Sequence, residues 1–335
     1  MFQYSLRAAA AALVLAGVAI SSSQGLAQTH APSPDPFWNV PDIGSLPDDD
    51  QGRLVRRGRD LITATYAHIG PGVADPAKRY AGNNLACRNC HLDAGAKKFG
   101  NPLWGLLGQF PQYDAEQGEA ISLEQRLNAC MTRSMNGRPL PADAPEMRAM
   151  VAYIAFLSSG VRPGETLTGY GAGHMPELDR AADPQRGREI FQRTCVACHG
   201  ANGEGLRRDA SVADLGYMVP PLWGPDSFND GAGMNRLTTI ANFVHFNMPN
   251  GVSYVLPRLS PEEAWDVAAF VVSQPRPQKA DLDKDFPDRL RKPVDAPYGP
   301  YADGFSREQH VYGPFGPIRE ELARLKAARG PKPAP

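Results

Sequence analysis

Residues 87–91 read CRNCH and residues 195–199 read CVACH. Two thiols at this spacing can add across the two vinyl groups of one haem, and the histidine that follows is placed to bind its iron from the proximal side. One such pattern in isolation has other readings, among them a redox pair or half of a zinc site. Two of them use four of the five cysteines, Cys87, Cys90, Cys195 and Cys198. They predict two covalently bound haem c groups, with His91 and His199 as proximal ligands, rather than a disulfide framework.

Each motif sits in the same frame, the mark of a duplicated unit. QGRLVRRGRDLITATYAHIG (51–70) precedes the first and DPQRGREIFQRT (183–194) the second. Both are helix-compatible, with Gly58 and Gly187 where two helices can approach closely. After the motifs come NPLWG (101–105) and PPLWG (220–224). Each unit closes with an apolar-periodic stretch opened by Pro-Glu, PEMRAMVAYIAFLSS from Pro145 and PEEAWDVAAFVVSQ from Pro261. Proline suits a first helical turn, and glutamate complements the positive helix end.

The expected fold is therefore all-α: two tandem cytochrome c domains, each a small haem-centred helical fold, with long coil segments. Domain 1 spans 45–160, a Gly/Pro-rich linker 161–183, domain 2 184–278 and a C-terminal extension 279–335. The extension is expected to wrap domain 2 as ordered coil to Ile318, then to form a short charged helix and fray.

The opening residues, MFQYSLRAAAAALVLAGVAISSSQGLAQ, have the layout of a secretory leader cleaved after about Ala27, its apolar run too short to span a bilayer. A periplasmic protein without a membrane span in the mature chain is expected. The formal net charge of −1 gives no support to nucleic-acid binding.

A proximal histidine leaves the opposite face of each iron open for a distal ligand. In domain 2 the candidates are Met218, Met234, Met248 and His245. Met248, in NMPNG before the closing helix, is preferred; core filling is the bland reading of any one methionine. Met248 lies 13 residues before Pro261, and the fifth cysteine, Cys130, lies 15 before Pro145. Cys130 thus occupies the distal slot of domain 1, with Met131 and Met135 as local competitors. A buried free cysteine or a thiol awaiting an intermolecular disulfide remains the bland reading. The segment SLEQRLNACMTRSMNG (122–137) reads as a helix, with Ser122 as its cap and Asn136-Gly137 at its end. Arg126, Cys130 and Arg133 then share one face. Two guanidiniums there would favour the thiolate and attract an anion; Arg138, Lys97 and Lys98 are candidates to add to that field.

The chain resembles the diheme thiosulfate dehydrogenases, periplasmic c-type cytochromes. The carrying stretches are CRNCHLDAG, RLNACMTRSMNG, PPLWGPDSFNDGAGMNR, NMPNG, EEAWDVAAFVVSQPRP and APYGPYADGFSREQHVYGPFGPI, spread from about Gly58 to Ile318. The resemblance implies axial pairs His91 with Cys130 and His199 with Met248, joining of two thiosulfate ions into tetrathionate, and an acceptor c-type cytochrome; the residues themselves make Cys130, Arg126 and Arg133 the expected catalytic group, a nucleophilic thiolate beside two cations that offset the repulsion between dianions. Some relatives place a lysine beside the methionine as an exchangeable ligand, where this chain has Asn247. Two rivals are a diheme electron carrier without substrate chemistry and a cysteine-ligated haem subunit of a sulfur-oxidising complex.

Overall fold

The computed structural model describes residues 38–165, 167–209 and 216–330. The leader expected at 1–27 lies outside the described residues. The described residues from Val40 onward form one compact unit.

In the first half, helix α1 (Asp50–Thr63) starts where the Asp49 carboxylate accepts from Gly52 N at 2.7 Å. It buries Val55, Gly58, Leu61 and Ile62, a stripe at helical spacing. A short α2 (Thr65–Ile69) follows, then the first motif, then α3 (Leu92–Gly95), in which Asp93 and Ala94 are left-handed. Strands β1 (Gln112–Asp114) and β2 (Glu119–Ile121) pair antiparallel, Gln112 opposite Ile121. Helices α4 (Leu123–Arg133) and α5 (Pro145–Leu157) complete this half.

The second half repeats the plan with α6 (Pro184–Thr194), α7 (Val196–His199), a bulged two-strand ribbon β3 (Leu206–Arg207) and β4 (Tyr217–Val219), α8 (Leu237–Asn247) and α9 (Pro261–Val272). Strand content among the described residues is confined to these two ribbons, so the all-α expectation holds.

The crossings of α1 with α5 and of α6 with α9 need glycine. A Cβ on Gly58 would lie 2.0 Å from the Ala149 carbonyl oxygen, and one on Gly187 1.9 Å from that of Asp266. Both glycines sit where the sequence frame placed them. Each half has its own apolar core, centred on Leu61, Met147 and Ile154 in the first and on Ile190, Phe191 and Trp265 in the second.

No helix or strand lies between Leu157 and Pro184 among the described residues. This segment is nevertheless packed down on both halves. Gly169 and Gly171 carbonyls accept from Phe99 N (2.7 Å) and Asn101 N (3.0 Å), while Met175 N donates to Asn242 Oδ1 at 2.7 Å.

The C-terminal extension carries α10 (Arg307–Tyr312) and α11 (Gly316–Arg329), and Phe315, Ile318 and Leu322 join the second core. It departs from expectation in two ways. Its last helix runs 14 residues, and the extension also reaches the first half, where Phe286 N donates to the Glu116 carbonyl at 2.8 Å. Among the described residues no helix is long and apolar enough to cross a membrane.

Candidate active site

Helix α4 is fixed at its start by a reciprocal cap: Gln125 N donates to Ser122 Oγ at 3.3 Å, and Ser122 N to Gln125 Oε1 at 2.7 Å. It stops after Arg133, and Asn136 takes a left-handed φ of 47° three residues on. Cys130 thereby faces a cavity lined by Cys87, Cys90, His91, Leu103, Leu127, Met150 and Met234, among others. Its walls are almost wholly apolar.

A haem fits this donor set. The two motif thiols, the adjacent imidazole and a further sulfur from α4 share one cavity, which sequence spacing alone could not establish. Met131 and Met135, the local competitors of Cys130, line the same cavity.

The imidazole is oriented for a metal. His91 Nδ1 bonds the Asn101 carbonyl at 2.6 Å, leaving Nε2 as its free ring nitrogen. Burial holds His91 below the ordinary histidine value, and Arg126 adds to this, so the ring is neutral as a ligand must be. Burial also pushes the Cys87 thiol up to about 11 and that of Cys90 to about 12.

His199 repeats the arrangement, its Nδ1 bonding the Pro220 carbonyl at 3.1 Å. Asn101 and Pro220 are the first residues of NPLWG and PPLWG. The function of these segments was missed in the sequence, although the repeat itself was the signal: each supplies the carbonyl that fixes the motif histidine.

The four distal candidates of the second half separate. Met218 is 60% exposed on β4. Met234 lines the first cavity and receives Asn101 Nδ2 at 3.9 Å from its sulfur. Met248 caps the end of α8, and His245 Nδ1 bonds the Leu259 carbonyl at 3.0 Å. Met248 and His245 remain.

The two arginines also separate. Arg126 is exposed and makes no hydrogen bond or ion pair among the described residues. Its guanidinium is held above the ordinary arginine value chiefly by Cys130, with Glu116 and Asp114 contributing. Arg133 does not match the expectation of a second free cation beside the thiol. It is buried, and its guanidinium grips Asp285 at 2.9 Å through both terminal nitrogens, Glu116 at 3.1 Å through Nε, and the Gly231 carbonyl. Burial works against its charge, and the Asp285 bonds with the nearby Glu116 outweigh it. Two carboxylates neutralise it, so it ties α4 to the C-terminal extension instead of presenting charge to an anion. Arg138 is likewise occupied, donating to the Ala77 carbonyl at 2.6 Å and stacking on Tyr80.

Residues 77–162 match the family described as SoxA/TsdA, cytochrome c domain, and residues 184–275 match cytochrome c. The chain is 42% identical to thiosulfate dehydrogenase of Allochromatium vinosum, over 74% of this chain and 88% of that one. It is 39% identical to thiosulfate dehydrogenase of Thiomonas intermedia, over 72% of each. Among solved structures it is similar to thiosulfate dehydrogenase (TsdBA) from Marichromatium purpuratum in its as-isolated form, at 32% identity and a TM-score of 0.64, covering 72% of this chain and 50% of that one. Two cytochrome c domains carry two covalently bound haem c groups. With relatives of this identity along most of its length and a cysteine in the cavity that holds the first CxxCH motif, the chain belongs to the thiosulfate dehydrogenase family.

Proposed function

We propose that this enzyme joins two thiosulfate ions into tetrathionate at Cys130 and hands two electrons to an acceptor c-type cytochrome. The observation that carries the reading is the shared cavity of His91 and Cys130, with Arg126, which forms no ion pair among the described residues, one turn before Cys130 on the same helix. The assignments are Cys87 and Cys90 to the first haem with axial His91 and Cys130, and Cys195 and Cys198 to the second with axial His199 and Met248.

The reaction balances without a proton: two dianions lose two electrons and one S–S bond forms. When bound, the haems supply one-electron steps, a thiolate ligand favouring the ferric state and a methionine ligand raising the potential. Everything else falls to the chain. Arg126 offsets the repulsion between the two anions at close range, where Coulomb energies are largest. Cys130 Sγ forms a disulfide-type bond to the first thiosulfate's outer sulfur as two electrons leave. The second thiosulfate attacks that sulfur, tetrathionate departs and the thiolate is restored.

The same reading gives domains at 45–160 and 184–278, export to the periplasm and leader cleavage after about Ala27, which N-terminal sequencing of the mature protein checks. Purified diheme protein is expected to change its haem spectrum on addition of thiosulfate alone. No change would leave a plain electron carrier, and a requirement for a second subunit would indicate the sulfur-oxidising-complex rival.

A further inference from the structure

The loop Phe99–Gly100–Asn101 touches both candidate haem sites. The Asn101 carbonyl accepts from His91 Nδ1 at 2.6 Å, and two residues earlier the Phe99 carbonyl accepts from Asn247 Nδ2 at 2.8 Å. Asn247 is the last residue of α8 and directly precedes Met248. The Phe99 ring lies 5.2 Å from Phe246 and 5.0 Å from Tyr254, which flank Met248 in the chain. Asn101 Nδ2 also reaches the sulfur of Met234, just ahead of the start of α8.

The loop is a stiff element. Phe99 and Asn101 take left-handed φ of 58° and 53°, and their amides are held by Gly169 and Gly171. Asn247 is 0% exposed, and its Oδ1 has no hydrogen-bond partner among the described residues. An apolar side chain of this size would avoid that penalty, so packing alone does not call for an amide. What the amide does provide is a bridge, its Nδ2 donating to the Phe99 carbonyl and, at 3.1 Å, to the Phe243 carbonyl one turn back in α8.

We infer that Asn247 is a positioning residue that ties the distal ligand of the second haem to the loop that orients the proximal histidine of the first, so that each centre sets the ligand geometry of the other. The inference rests on the axial assignments of His91 and Met248 made above. The physical route is short. The hydrogen bond at His91 Nδ1 governs how strongly the imidazole donates, and the place of Met248 follows the end of α8. Moving the Phe99–Asn101 backbone shifts both.

The test is spectropotentiometric titration of the diheme protein in two variants, one in each half, with the long-wavelength methionine-to-iron charge-transfer band recorded alongside. Asn247→Leu is expected to shift the midpoint potential of the first haem as well as the second, and Phe99→Leu to weaken the methionine band although Phe99 lies in the first half. If Asn247→Leu moves only the second haem and Phe99→Leu only the first, the coupling is wrong. If Asn247→Leu does not accumulate with both haems attached, Asn247→Ala, which also lacks the donor, is read the same way. Met248→Leu separates the underlying assignment: persistence of the band in that variant sinks Met248 as ligand, and the paired potential shifts still decide whether the two sites are coupled.

Discussion

The two halves use one scaffold and differ in what approaches the open side of the haem motif. In both, glycine permits a close helix crossing, Gly58 over Ala149 and Gly187 over Asp266, and a carbonyl at the start of an LWG-containing segment holds the motif histidine. In the first half the distal segment is a capped helix that carries Cys130 into an apolar cavity, with Arg126 one turn before it. In the second, Met248 stands at the end of α8, and the exposed Val255 and Leu256 follow a few residues later. The scaffold is thus shared, and the segment ahead of the closing helix is where the halves differ: in the proposed function it makes the first site the one that meets the anion and the second the one that passes electrons.

The largest effect expected from breaking this difference is at Cys130. Cys130→Met gives the first half the ligand type proposed for the second, and thiosulfate turnover is expected to fall on the order of 10³-fold or more, as when a covalent nucleophile is removed. Both haems should remain attached, which haem staining checks; near-normal turnover would show that the cysteine is not required.

The arginines then test where catalysis ends and architecture begins. Arg126→Ala is expected to lower kcat/KM on the order of 10²-fold, the scale for losing one preorganised charge partner, with unfolding little changed. Arg133→Met should do the reverse, costing about 3–5 kcal/mol of stability as one partner of a buried ion pair is lost, because Asp285 and Glu116 are left without their cation. Denaturant unfolding and steady-state kinetics on the same samples separate the two.

Gly58→Ala and Gly187→Ala probe what the halves share. Each forces a methyl group onto a carbonyl at a helix crossing, and each is expected to cost about 1–3 kcal/mol through overpacking. A marked inequality between them would mean that the crossings are not equivalent.

The smallest expected effect concerns the extension that joins the halves. Lys292 is buried among the Phe286, Tyr298 and Tyr301 rings, and burial pulls it down to about 8. The folded state therefore gives up its proton at a lower pH than the unfolded state, so stability should rise as pH increases from about 8 toward the ordinary lysine range. Lys292→Met should flatten that rise, as thermal melts across the range can show.

Much of this was legible in local sequence because its causes are local. The CxxCH spacing, the Ser122 cap, the Pro-Glu helix starts and the crossing glycines each act within a few residues of where they are read. Arg133 was misread because its partner Asp285 lies 152 residues away, and helical spacing places a side chain on a face without saying what covers that face. Met234 in the first cavity and the bond from Asn247 to Phe99 were invisible for the same reason. The segment 158–183 looked like a tether because it lacks periodicity, yet its carbonyls are used by the loop beside His91.

The central claim is that Cys130 sulfur is an iron ligand of the first haem. Low-temperature EPR of the oxidised protein tests it most directly. Two low-spin ferric signals are expected, one of thiolate-ligated type and one of histidine–methionine type, and Cys130→Met should abolish the first alone. A wild-type spectrum without the thiolate signal, or one unchanged by that substitution, would contradict it.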